Sequence, residues 1–207
     1  METQTDLYLF LISTAFISLT GVMMPGPVFA VTVAKGYRNK IAGALIAFGH
    51  GVIEFPLMAL IYVGFGQFFS FSLTKLAIGV VGGIMLMYMG VEMFRARGKT
   101  QEGVGGNLKY GSFTAGIITT GANPYFFLWW ATIGAALIMS ASIFGIMGFL
   151  LFAITHWLCD FLWDLFVSLT VFKSRSLWSK RVHEIVFGLC AVVLVGFGTW
   201  FIVSVLM

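Results

Sequence analysis

Between Leu7 and Ala34 the chain runs without a single charged side chain, and five further segments are nearly as apolar. A helix needs about 20 such residues to cross the hydrocarbon of a bilayer, where every backbone polar group must be satisfied within the protein. Six spans are predicted, over roughly 7–34, 41–66, 73–94, 111–138, 143–171 and 182–206. The composition agrees: 59% of the residues are hydrophobic, 10% are charged, and the mean hydropathy is +0.99. A soluble domain carries about a quarter charged residues, so this chain cannot cover a soluble surface. The expected fold is an all-α membrane protein. Glu2 and Asp6 stand where a secretory signal has basic residues, and the first apolar run is about twice too long for one, so this segment is expected to be a retained span.

The basic residues order these spans. Cytoplasmic loops retain Lys and Arg, and eleven of the twelve basic residues fall in the first, third and fifth connections, with Lys75 alone in an even one. Both termini are therefore expected to face outward. Each half holds three spans, an odd number, so the second half must enter from the opposite face. The predicted organisation is a first three-helix repeat over 1–94, a cytoplasmic linker over 95–110 and a second, inverted repeat over 111–207.

Two helix breaks sit at corresponding places in the halves. Pro25-Gly26-Pro27 interrupts the first span and Asn123-Pro124 the fourth, and both are followed by aromatic residues. A proline inside a membrane helix frees backbone groups that lipid cannot satisfy. Paired breaks of this kind point to a transport site near the midplane. Pro27 and Pro124 suit the first position of a helix, Asn123 is a favoured N-cap and Gly26 an acceptable one. Each break then begins a half-helix whose N–H groups and dipole favour an anion, such as a substrate carboxylate. The plainer reading is a kink whose freed groups bond to Thr20, Thr119 or Thr120.

Buried acids supply the opposite charge. The second span carries His50-x-x-x-Glu54 and the fifth carries His156-x-x-x-Asp160, with Asp164 one further turn on. Glu54 lies about 20 Å along its helix from the basic turn at Lys40, a depth at which an ionised carboxylate costs at least about 2.5 kcal/mol. These acids are expected to face the interior and to bind a coupling cation, a substrate ammonium or a proton. Asp164, nearest the cytoplasmic end, is expected to be partly hydrated. A purely structural His–carboxylate network locking two helices is the alternative. Trp129, Trp130, Trp157, Trp163 and Trp200 could serve as interface anchors, cavity lining or lipid contacts, with Trp163 the foremost of them as a cavity candidate. The glycines, Gly43, Gly49 and Gly51 among them, read as close helix packing.

Other classes find little support. There are no Lys/Arg-rich runs for nucleic acid, and Cys159 and Cys190 lack the spacing of a disulfide framework or a zinc site. No enzymatic constellation, cofactor or resident metal is expected.

Met24-Pro25-Gly26-Pro27, the following basic turn, Gly43-x(5)-Gly49-x-Gly51 and the Asn123-Pro124 break together resemble the lysine-exporter (LysE/RhtB-type) superfamily, over essentially the whole chain. The resemblance implies ion-coupled export of amino acids or related small solutes, with the break residues Pro25, Gly26, Pro27, Asn123 and Pro124 at the substrate. Many members carry a lysine after the Asn-Pro, where this chain has Tyr125. The implied partners are a small-molecule substrate, a coupling proton or sodium ion, and the bilayer; a homodimer is left open. Competing readings are a divalent metal-cation transporter using the acids and histidines, a thiol-disulfide electron carrier, and a structural membrane subunit.

Overall fold

In the computed structural model the described residues are 2–24, 26–64, 72–96 and 110–207; Pro25, the side chain of Lys75 and most of the predicted linker fall outside them. The described residues form helices α1 (Glu2–Val22), α2 (Pro27–Gly36), α3 (Ala42–Tyr62), α4 (Ser72–Ala96), α5 (Ser112–Gly121), α6 (Pro124–Trp129), α7 (Ala135–Ser142), α8 (Gly145–Ser174) and α9 (Lys180–Leu206). A π-helical stretch, Trp130–Gly134, joins α6 to α7. No strand occurs among the described residues.

Four unbroken helical stretches are long and apolar enough to cross a membrane: Ala42–Tyr62, Pro124–Ser142, Gly145–Leu177 and Lys180–Leu206. The pair α1 and α2, bent by 78°, makes a fifth if the two are counted as one broken span. The side chains turned outward along these helices are large and apolar, as at Phe16, Leu150, Leu162 and Leu189. In water such a surface would drive aggregation; against lipid it costs nothing. The chain is a multi-pass membrane protein.

Both predicted breaks occur, and the residue types explain their form. Pro27 opens α2 with Gly26 in extended conformation before it, and Pro124 opens α6 behind an extended Asn123. Asn123 caps α6 as its type predicts, its Oδ1 accepting from the Tyr125 N–H at 3.1 Å. Replacing Asn123 with alanine is expected to cost about 1 kcal/mol, read as a modest drop in the thermal midpoint of the detergent-solubilised protein. Helices α2 and α5 are each 10 residues long, so each break lies about 15 Å from the basic end of its segment.

The packing interleaves the two halves. α1 lies against α8 and α5 against α3, while α3 meets α8 and α4 runs along α9. The first helix of each half thus packs on the middle helix of the other. α2 is buried from Ala30 to Gly36 among α3, α5, α8 and α9. Its basic end is fastened by the Lys35 ammonium, which donates to the Tyr110 carbonyl, and by the Arg175 guanidinium on the Tyr37 carbonyl at 3.1 Å. Glycine permits the tightest crossing. A Cβ on Gly43 of α3 would fall 1.8 Å from the Asp164 carbonyl oxygen of α8, so the two backbones touch one turn from a predicted functional acid.

Candidate functional site

Helix spacing puts His50 and Glu54 on one face of α3, and His156, Asp160 and Asp164 on one face of α8. The α3–α8 crossing turns those faces toward each other. His50 Nε2 lies 2.9 Å from Glu54 Oε1, and His156 Nε2 approaches the same oxygen to 3.3 Å. His50 Nε2 is 3.8 Å from Asp160 Oδ1, and His156 Nε2 is 3.6 Å from Asp160 Oδ2. Two imidazoles and two carboxylates therefore alternate around one small centre. It is deeply buried, with Glu54 1% exposed and Asp160 9%.

The far nitrogen of each ring is held by a hydroxyl from the broken segment of the other half. His50 Nδ1 is 2.8 Å from Thr120 Oγ1 on α5, and His156 Nδ1 is 2.7 Å from Ser18 Oγ on α1. A hydroxyl both donates and accepts. Each imidazole can therefore gain or lose a proton at Nδ1 without losing this bond, and its Nε2 stays aimed at the carboxylates. Glu54 Oε2 and Asp160 Oδ2 are buried without a hydrogen-bond partner. Atoms of this kind carry a high desolvation cost unless something occupies the space beside them.

Glu54 and Asp160 also line a cavity of about 110 Å³, room for three or four waters at about 30 Å³ each. Of the predicted residues, Gly26, Pro27, His50, Glu54, Asn123, His156, Asp160 and Asp164 line it together. Pro124 stands behind Asn123 without lining it, and Pro25 lies outside the described residues. No lysine or arginine is among the lining residues. The countercharge for three acids must come from the histidines or from whatever enters.

Some expectations need correcting. Asp164 is more enclosed than its place near the basic end suggested: it is 4% exposed, and the Thr32 hydroxyl of α2 donates to its Oδ1 at 3.0 Å. Trp163 does not line the cavity but stacks on Phe166, with ring centroids 5.8 Å apart. Trp129 and Trp130 line it instead, each packing on the His156 ring at about 5 Å. They sit where α6 gives way to the π-helical stretch, an irregularity found mostly at functional sites. Thr119 and Thr20 bond to carbonyls of their own helices rather than to groups freed by the breaks. The two breaks also differ. At α6 the Tyr125 N–H is taken by the Asn123 side chain and the Phe126 N–H by the Asn123 carbonyl. At α2, Gly26 has no side chain with which to cap the first turn.

A helix-rich chain with two proline breaks and buried acids at one cavity invites comparison with known transporters. The profile of the family described as LysE type translocator matches residues 19–205. The chain belongs to the LysE type translocator family. It is 26% identical, over 85% of this chain and 87% of the relative, to the Bacillus subtilis (strain 168) protein named "Putative amino acid efflux protein YcgF". No solved structure matches the chain. As a LysE type translocator it is a transmembrane transport protein, and the matched region takes in both breaks and the five buried titratable residues that line the cavity. The electron-carrier reading loses its footing, since it needs cysteines beside the breaks, and neither Cys159 nor Cys190 lines the cavity.

Proposed function

We propose that this protein exports amino acids or related small solutes across a prokaryotic cytoplasmic membrane, driven by a coupling cation, a proton or sodium, and working by alternating access. One observation carries the reading: both helix breaks and the acids Glu54, Asp160 and Asp164 line a single cavity that contains no lysine or arginine. An α-amino acid presents a carboxylate and an ammonium group within a few ångströms of each other. The uncapped first turn of α2, at Val28 and Phe29, suits the carboxylate, and the Glu54–Asp160 pair suits the ammonium group or the cation that replaces it. The relative's name points the same way.

Six spans in two inverted repeats fit the packing. A two-fold relation between halves exchanges α1 with the fourth span and α3 with α8, and so turns the α1–α8 contact into the α5–α3 contact. The His156–Ser18 and His50–Thr120 bonds exchange in the same way. With α4 as the third span and both termini outside, the eleven clustered basic residues face the cytoplasm. Rocking one half against the other would strain these crossed bonds, as alternating access requires.

The test is direct. Proteoliposomes are loaded with a mixture of amino acids, a pH or sodium gradient is imposed, and the released solutes are identified by mass spectrometry. Release of one solute or a small set, only under a gradient and only with protein, supports the reading. Equal retention in protein-containing and empty vesicles under both gradients contradicts it.

A further inference from the structure

The alternation of nitrogen and oxygen around the buried centre has a second chemical meaning. In a tetrahedral site with metal–ligand bonds of about 2.0–2.1 Å, neighbouring donor atoms lie roughly 3.3–3.4 Å apart. His50 Nε2 lies 2.9 Å from Glu54 Oε1 and 3.8 Å from Asp160 Oδ1, and the two separations bracket that value. The donors of His50, Glu54 and Asp160 all fall within 4.8 Å of one another. We infer that His50, Glu54 and Asp160 form a binding site for one divalent transition-metal ion of the Zn²⁺ class, on which His156, 3.3 Å from Glu54 Oε1, closes as the fourth ligand.

Three further features point the same way. Thr120 and Ser18 hold the Nδ1 atoms at 2.8 and 2.7 Å, which leaves both Nε2 atoms to the centre, the outer-shell support that metal-binding histidines need. Glu54 Oε2 and Asp160 Oδ2 are buried without hydrogen-bond partners, and a cation between the carboxylates would compensate both. Two carboxylates, two neutral imidazoles and one divalent ion sum to zero charge, the state that a midplane site favours. The donor set also selects the metal. Mg²⁺ and Ca²⁺ want six or more oxygens, whereas a mixed imidazole–carboxylate set suits zinc, cobalt or nickel.

Binding is separable from transport. Untagged purified protein in detergent is titrated with Co²⁺, whose tetrahedral complexes absorb far more strongly in the visible than octahedral ones, and Zn²⁺ is then added as competitor. The expected result is one saturable, strongly absorbing Co²⁺ per chain, displaced by Zn²⁺. Glu54→Gln and His156→Gln should abolish the tetrahedral band. Ser18→Ala and Thr120→Ala, which leave the ligands in place, should weaken binding about 10-fold. His183→Gln, altering the one histidine outside the centre, should keep it. Absence of a saturable band in the wild type, or a band that survives Glu54→Gln, overturns the inference whatever the outcome of the solute assay. If the proposed export also holds, Zn²⁺ competes with the coupling cation and inhibits flux.

Discussion

Glu54→Gln is expected to cut gradient-driven solute flux by about 10- to 100-fold, the loss equivalent to about 1.5–3 kcal/mol for a hydrogen bond to a charged group. The reason is geometric. Glu54 Oε1 is shared by His50 and His156 at 2.9 and 3.3 Å, and Oε2 is buried and without a hydrogen-bond partner. Glutamine keeps the volume and one acceptor oxygen. It removes the negative charge that a coupling cation or substrate ammonium would meet. It also sets an amide N–H₂ against atoms arranged around a carboxylate. The variant should still insert and remain monodisperse in detergent, because the apolar core is untouched. Size-exclusion chromatography beside the flux assay separates loss of function from loss of fold. Flux at the wild-type rate in a well-folded variant would remove Glu54 from the mechanism.

The second large effect falls on folding. Gly43→Ala is expected to destabilise by more than about 3 kcal/mol, the upper end of overpacking costs. Its Cβ would meet the Asp164 carbonyl oxygen at 1.8 Å and the Leu165 backbone nitrogen at 2.7 Å. These are helix backbone atoms, which cannot rotate aside as a side chain can. Helix α8 would have to withdraw as a unit and take Asp160 and Asp164 with it. Gly121→Ala is the control, since a Cβ there meets nothing within 4 Å, and alanine favours a helix by up to about 1 kcal/mol. Thermal unfolding in detergent should show a large drop in the midpoint for the first and little change for the second. Similar midpoints for both would mean that the α3–α8 crossing is looser than the structure has it.

How much of this was legible beforehand depended on whether a feature was local. The breaks, the N1 prolines and the Asn123 cap depend on neighbours within three residues. They were therefore readable from residue type. The His-x-x-x-acid pairs were readable because one helical turn puts them on one face. The crossed bonds were not. Ser18 and His156 are 138 residues apart, and Thr120 and His50 are 70 apart, and only the interleaved packing of the halves brings them together. The bond from Thr32 of α2 to Asp164 was hidden for the same reason, since 132 residues separate the two. Trp129 and Trp130 line the cavity through their packing on His156 of α8, a contact between distant segments for which their own sequence carries no signal. The difference between the breaks lay in a detail of chemistry: the side chain that makes Asn123 a good cap also uses an N–H that an anion would want.

The central claim is that the carboxylates of one cavity tie the movement of solute to that of a cation. The most direct measurement imposes an outward gradient of the exported solute on proteoliposomes with no cation gradient, and follows proton or sodium movement with an internal dye. The account predicts solute-driven cation movement in the wild type and none in Glu54→Gln or Asp160→Asn. Solute leaving at full rate with no accompanying cation movement, or cation movement unchanged in both variants, would contradict it.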